Sequence, residues 1–168
     1  MNTKDQSDWL QNHIPYRVRA ALARIPLQEN LLKDPQYRSS RQGIEKRCEG
    51  DAIWEGRLAA TRWLIEFIGV SANKNGKPKL PTRFSYDTRI DDLGGKVFDL
   101  NCSDATVLAN VWLGCSQGSS HATHASGHPP VNEKEISAAL KIVMKYLDQQ
   151  LHFGAGQTIA SVALHPNP

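Results

Sequence analysis

The sequence predicts an all-α protein: a four- to five-helix bundle with a long irregular loop between its second and third main helices. The first observation is that four segments repeat apolar residues at spacings of three and four, the period of one helix face. The second is that residues 71–101 carry glycine, proline and basic residues without such a period. Because short helices are marginal in water on their own, these segments are expected to pack into a bundle.

The composition is that of an ordinary globular protein. The 168 residues are 40% hydrophobic and 22% charged, with a net charge of +3. This length corresponds to about one domain, which we expect over residues 1–152. The three cysteines form no C-x-x-C pair, which argues against a disulfide framework or a cysteine zinc knuckle and favours reduced thiols in the cytoplasm. No signal segment and no apolar run of about 20 residues occurs, so no membrane contact is expected.

The first helix is predicted in the segment SDWLQNHIPYRVRAALARI, residues 7–25. Because proline lacks an amide donor and clashes with the preceding turn, we expect a short first turn and then a helix that restarts with Pro15 near its first position. Arg17 and Arg24 lie off the apolar stripe, in a stretch (9–47) with eight Lys and Arg against three Asp and Glu. This basic face makes both arginines candidate contacts to a nucleic acid, the alternative being a solvated helix face.

The longest helix is predicted near residues 44–70, with a broad apolar face and with Gly69 at its end. The basic, Gly- and Pro-containing loop 71–101 follows. Within it, KVFDL (96–100) is expected to form a short strand. Irregular connections of this length in a small domain tend to be functional or mobile.

Two further helices are predicted after this loop. Ser103 caps the segment SDATVLANVWLGC, and Asn132 begins the last helix with Glu135 at the spacing of a capping box. The tail, residues 153–168, is expected to be loosely held.

A polar loop between the last two helices contains HATHASGH, which places His121, His124 and His128 within eight positions. Three histidines can hold zinc, and these three are the candidate metal ligands. The segment has no carboxylate, however, and the H-E-x-x-H pattern is absent. A second interpretation makes His121 or His124 a catalytic acid or base, since imidazole titrates near neutrality. A third is structural, with GHPPVN as a rigid turn that orients the last helix.

The same region offers hydroxyl and amide groups that could hold an anion such as a phosphate. The candidate ligand-binding residues there are Ser116, Gln117 and Ser120. Neither a P-loop nor a G-x-G-x-x-G pattern occurs, and no cofactor is expected.

Four features define the layout of residues 45–150: a long helix with EGRLAATRWLIEFIGV, a helix with ANVWLGCSQ, the polar turn SSHATH, and a final amphipathic helix. This layout resembles that of uncharacterised bacterial all-helical proteins with HEPN-like architecture. The resemblance implies a bundle of four to five helices that is commonly dimeric. It also implies either a metal-independent ribonuclease, often a toxin or defence component, or a non-catalytic binder of nucleotides, RNA or proteins.

Active members of that family carry an arginine, a polar residue, and a histidine four to six positions after the arginine. In this chain the matching place holds Ser116, Gln117 and His121, so the arginine is missing. Arginine would be the natural group to stabilise charge on a transferring phosphate. The remaining sources of that cation are Arg57, Arg62 and a second copy of the chain.

These features predict a cytoplasmic binding or interaction protein whose ligand is RNA or a nucleotide, or whose partner is another protein. The first alternative is a ribonuclease that uses His121 or His124, and the second is a three-histidine metal protein. A homodimer is expected because the chain has more tryptophans than one small core usually needs. These are Trp9, Trp54, Trp63 and Trp112.

Overall fold

The protein is mostly helical, which confirms the predicted all-α class. The computed structural model describes residues 3–23, 33–84, 87–118, 131–154 and 156–164. In chain order the elements are α1 (Thr3–Asp8), a π-helix (Trp9–His13), α2 (Ile14–Leu22), α3 (Pro35–Ser39), α4 (Arg41–Phe67), β1 (Ser71–Ala72), β2 (Pro78–Lys79), a 3-10 helix (Ile90–Leu93), α5 (Ser103–Gly118), α6 (Glu133–Gln150) and α7 (Ile159–Leu164).

The first helical region changes its winding immediately before Pro15. The amide of Ile14 donates to the carbonyl of Trp9, five residues back, and α2 then begins with proline in its first turn. A proline ring collides with the carbonyl four residues earlier in an α-helix, and a π-turn relieves that contact without breaking the helix. Pro15 lies near the first position of α2, as predicted, but the predicted restart is wrong, because helical winding continues from α1 through the π-helix into α2. The helix ends at Leu22, three residues before the predicted end.

Helix α4 runs through the middle of the molecule and contacts α2, α5 and α6. It begins three residues before the predicted start, because the Ser40 hydroxyl accepts a hydrogen bond from the amide of Gly43 and caps it. The core lies around its inner face. Its fully buried side chains include Ile14, Val18, Leu64, Ile65, Leu108, Ile136, Leu140 and Leu147.

The end of α4 is a Schellman motif, formed at the predicted glycine. The amide of Gly69 donates to Glu66 O over 2.9 Å, and that of Val70 donates to Ile65 O over 3.0 Å. Gly69 has a φ of 95°, a backbone conformation that glycine adopts without the steric penalty of a Cβ. This turn directs the chain from α4 into the hairpin that follows.

The segment between α4 and α5 contains a two-residue hairpin in which Ser71 pairs with Lys79 and Ala72 with Pro78. The expected strand KVFDL is not formed, since residues 96–99 have no regular secondary structure. One hydrogen bond, from the Phe98 amide to Ile68 O at 2.9 Å, attaches this stretch to the end of α4 instead. The segment thus lies against the bundle without adding to a sheet.

The C-terminal region corrects the predicted tail and the predicted domain end at residue 152. Helix α6 begins with the predicted capping box of Asn132 and Glu135. Beyond it, α7 packs on α2, with Ile159 fully buried and with Arg19 Nε donating to Ala163 O over 2.9 Å. Residues 156–164 therefore belong to the bundle. A helix of six residues has no stability of its own, and burial against α2 supplies it.

Within the described residues, no helix combines the length and the apolar character needed to cross a bilayer.

Candidate functional site

An open cleft of about 570 Å³ lies where the π-helix, the last two turns of α4, α5 and the loop after β2 meet. Its volume falls in the usual range of small-molecule sites, roughly 300–1,000 Å³. Trp9, Trp63 and Trp112 line it from three different elements, and Phe67 and Phe84 add two more rings. The cleft is therefore a surface rich in aromatic faces, built from parts of the chain that are distant in sequence.

Three of these rings form a cluster with nearly parallel planes. The centroids of Trp63 and Phe67, four residues apart on α4, are 5.1 Å apart with an interplanar angle of 11°. Trp9 lies 6.0 Å from Trp63 and 6.3 Å from Phe67, again nearly parallel to both. The π-turn brings Trp9 to this position, so the local winding before Pro15 shapes one wall of the cleft.

A fixed carboxylate lies beside the rings. Glu66 Oε1 accepts from the indole nitrogen of Trp112 over 2.8 Å and from Arg62 Nε over 3.1 Å. The Arg62 guanidinium also lies 5.1 Å from the centre of the Trp112 ring, within reach of a cation–π contact. Among the described residues, no group donates to the second oxygen, Oε2. Glu66 is thus held on one side and available on the other.

Two arginines of the loop are held by the neighbouring 3-10 helix. Arg83 Nη2 donates to Asp92 Oδ1 over 2.6 Å, and Arg89 makes bonds of 2.9 and 2.7 Å to the two oxygens of Asp91. These hydrogen bonds hold the pKa of both carboxyls below its usual range, so both are ionised at neutral pH. The pairs set the positions of the arginines at the cleft.

The charged side chains that line the cleft are four cations and two carboxylates: Arg62, Lys79, Arg83 and Arg89, with Glu66 and Asp87. Several N–H groups of the cations remain available. Within the described part of the chain, Nη1 and Nη2 of Arg62, Nη1 of Arg89 and Nζ of Lys79 donate no hydrogen bond. The edge of the cleft can therefore donate to an anion, while its floor offers aromatic faces.

Of the predicted site residues that the structure describes, Arg17 contacts a ring of this cleft. Its guanidinium carbon is 5.4 Å from the centre of the Trp63 ring. The hydroxyl of Ser116 donates to Trp112 O over 2.8 Å, one turn back in α5, and Gln117 follows it in the same helix. The remaining predicted site residues lie outside the described residues: Arg24, Ser120, His121, His124 and His128.

No group of three or more potential metal-ligating side chains occurs among the described residues, and the three-histidine alternative concerns residues beyond them. Cys115 is fully buried in the core, and burial raises the pKa of its thiol to about 12. It is therefore neither a thiolate ligand nor a nucleophile at neutral pH.

Sequence reasoning missed most of this cleft. The spacing of Arg62 and Glu66 on one helix was a usable signal, since residues four apart face the same way. Arg83 and Arg89 gave no such signal, because their segment has no period. Comparisons with known proteins do not add residues to the site: no family model matches the chain, and no curated protein and no solved structure matches it.

Proposed function

We propose that the protein binds a nucleoside phosphate in this cleft, either as a free nucleotide or as the terminal nucleotide of an RNA strand. The observation that carries the proposal is the combination of three partly exposed tryptophan rings with unbonded guanidinium and ammonium N–H groups in one cleft. A base and a phosphate need these two surfaces side by side.

The aromatic floor supports the binding of a base. Every nucleobase has a π-face, and stacking on an aromatic side chain contributes about 1–3 kcal/mol per base. Trp63 is partly exposed and is held against the buried ring of Phe67 on the same helix, so little conformational entropy is lost when a planar ring packs on it.

The edge of the cleft supports the binding of a phosphate. Guanidinium groups donate paired hydrogen bonds to phosphate oxygens, and Arg83 and Arg89 are already oriented by Asp92 and Asp91. Asp91 and Asp92 neutralise much of the charge of these two arginines, so an anion is favoured here by N–H groups that remain free to donate and not by net charge. Nζ of Lys79 and both Nη groups of Arg62 add further donors at the same edge.

The first test is calorimetric titration with the four ribonucleoside 5′-monophosphates, the parent nucleosides, inorganic phosphate and a short single-stranded RNA. Each monophosphate is expected to bind more tightly than its nucleoside or phosphate alone, and affinity should fall as salt rises. Saturable binding of the RNA without binding of the monophosphates would assign the site to RNA. Absence of saturable binding by every one of these ligands at millimolar concentration would overturn the proposal.

A matched pair of variants locates the site. Lys79→Gln removes a cation that lines the cleft, and a roughly 3- to 10-fold loss of nucleotide affinity is expected, as for one exposed charge contact worth about 1 kcal/mol. Lys77→Gln makes the same change two residues away on the same hairpin, outside the cleft, and should leave affinity unchanged. Equal effects of the two changes would indicate general electrostatic attraction without a defined site.

A ribonuclease is the second candidate function. Two arginines of this chain are candidates for the missing cation, and the position of Arg62 favours it over Arg57. The Arg62 guanidinium, on α4, lies over the ring of Trp112 on α5. Trp112 is one turn before Ser116, and the histidine-containing segment follows α5 in the sequence. Arg57, in contrast, is bonded to Glu133 and to Ala21 O in the core. Arg62 could therefore supply the cation that the HEPN-like motif lacks.

The ribonuclease candidate predicts that purified protein cleaves RNA without added metal, and that a His121→Ala, His124→Ala double variant loses at least about 100-fold in rate, as for removal of a general acid or base. Thermal unfolding of the variant controls for folding. Cleavage at an unchanged rate by the double variant would eliminate this mechanism and would identify the activity as a contaminant.

Location and assembly stay predictions. The three cysteines are unpaired thiols, which supports the expectation of a cytoplasmic protein. The tryptophans no longer support a dimer, since three of them line the cleft and Trp54 packs beside Arg57, 5.6 Å from its guanidinium carbon. Sedimentation of the purified chain would measure its state directly.

A further inference from the structure

We propose that Glu66 reads the base and makes the cleft selective for guanine, an inference that rests on the proposed nucleotide-binding function. Glu66 lines the cleft, and its carboxylate oxygen Oε2, which carries the proposal, accepts no hydrogen bond from the described residues. A carboxylate oxygen has two lone pairs, and both are available for donors of a ligand.

The environment of Glu66 holds the carboxylate in one place. Two donors from different helices, the Arg62 guanidinium on α4 and the Trp112 indole on α5, both bind Oε1. The backbone carbonyl of Glu66 is also used, because it accepts from Gly69 in the turn that ends α4. A side chain fixed in this way pays little entropy on ligand binding, which is the condition for selective hydrogen bonding.

Among the common bases, guanine alone presents two adjacent N–H donors on its Watson–Crick edge, from N1 and from the N2 amino group. The two N–H bonds are nearly parallel and match the two oxygens of one carboxylate, so one would donate to the unbonded Oε2 and the other would share Oε1 with Arg62 and Trp112. Adenine presents an amino donor beside the N1 acceptor, and cytosine presents an amino donor beside the N3 acceptor. Uracil has one N–H between two carbonyls. In each of these a lone pair would face the Glu66 carboxylate, and a repulsive contact of this type separates ligands as effectively as an attractive one.

The position of Glu66 relative to the rings is compatible with this contact. Glu66 follows Trp63 by three positions on α4, and residues three apart lie on one face of a helix, so a base that packs on the Trp63 ring has its edge beside this carboxylate. The phosphate would then extend toward the cations of the loop after β2. The same cleft thus provides separate contacts for the base face, the base edge and the phosphate.

The test is titration of the wild-type protein with GMP, IMP and AMP, followed by the Glu66→Gln variant. GMP is expected to bind about 10- to 100-fold more tightly than AMP, as for a two-bond base contact. IMP, which lacks the N2 amino group, should fall between them. In Glu66→Gln the ratio of GMP to AMP affinity should approach one, because the amide replaces one oxygen with a donor.

The matched control is Glu45→Gln. Glu45 is on the same helix and pairs with an arginine four residues before it, as Glu66 does, but lies outside the cleft. This variant should keep the wild-type preference.

Equal binding of GMP and AMP by the wild-type protein would overturn the guanine assignment while leaving the nucleotide site in place. A folded Glu66→Gln variant that keeps the preference for GMP would also overturn the guanine assignment. IMP binding as tightly as GMP would overturn the two-donor contact. Absence of binding by every nucleotide would instead overturn the proposed function. If Glu66→Gln does not fold, the three-nucleotide series on the wild-type protein still decides the assignment.

Discussion

An Arg57→Met variant is expected to lose about 2–3 kcal/mol of unfolding free energy, the cost of breaking a buried, charge-assisted hydrogen-bond network. Arg57 is 6% exposed, although it carries a full charge. Its Nη1 and Nη2 donate to the two oxygens of Glu133 over 2.7 and 2.8 Å, and its Nε donates to Ala21 O over 3.1 Å. One side chain of α4 thereby joins the C-terminal end of α2 to the first residue of α6.

Methionine would fill much of the same volume without the donors. Glu133 is largely exposed, so water can solvate its carboxylate when Arg57 is lost. The expected cost therefore arises mainly from the lost hydrogen bond between Arg57 Nε and Ala21 O. The carbonyl of Ala21 belongs to the last turn of α2, where helix carbonyls have no partner within their own helix. Among the described residues only Arg57 donates to this buried carbonyl, and its removal takes that hydrogen bond away. Urea unfolding followed by circular dichroism measures the difference.

Arg41→Met is the control for this prediction. Arg41 also pairs with a glutamate, but its side chain is 94% exposed. Such exposed pairs contribute about 0–0.5 kcal/mol within a helix, so little change is expected. Arg57→Lys should lie between the two, since lysine keeps the charge and loses the paired geometry. Similar losses for Arg57→Met and Arg41→Met would show that the Arg57 network contributes no special stability.

Gly69→Ala is expected to destabilise the protein by about 2–3 kcal/mol, because a left-handed backbone position for a non-glycine residue costs roughly 1–3 kcal/mol and a steric conflict adds to it. A Cβ at this position would lie 2.3 Å from Cγ1 of Val97. The Schellman turn would have to distort, and the chain that leaves α4 beside Glu66 would shift with it. Thermal and urea unfolding report the loss, and nucleotide affinity should fall in the same variant.

The opposite sign is expected for Gly56→Ala. Gly56 is an exposed glycine inside the same helix, and a Cβ there would meet nothing within 4 Å. Alanine in place of glycine in a helix interior stabilises by about 0.5–1 kcal/mol, mainly because the unfolded chain has less freedom to lose. A loss of stability in Gly56→Ala, or no loss in Gly69→Ala, would contradict this account of the two glycines.

Local features of the fold were accessible from the sequence. The place of Pro15 in the first turn of α2, the end of α4 at Gly69 and the start of α6 at Asn132 with Glu135 were predicted and are confirmed. Each depends on a residue whose backbone or side chain acts within one helical turn. Such effects need no knowledge of the rest of the molecule.

Two predictions about short elements were wrong, because such elements depend on contacts with distant parts of the chain. The tail was expected to be loosely held, and KVFDL was expected to be a strand. Helix α7 has only six residues and exists through burial of Ile159 and Ala163 in the core. Residues 96–99 have a suitable composition for a strand but no partner to pair with. The spacing of apolar residues along the chain does not show what a short helix packs against or whether a strand has a partner.

The cleft depends on contacts between residues that are far apart in the sequence. The sequence by itself determined the helices, their caps and their apolar faces, because these follow from interactions between residues a few positions apart. Only the tertiary structure decided that Trp9, Trp63 and Trp112 share one cleft, and that Glu66 is bonded to Trp112 across 46 positions of the chain. The angle and register between packed helices depend on how their side chains interdigitate, and an apolar stripe specifies which face is buried without specifying what it meets.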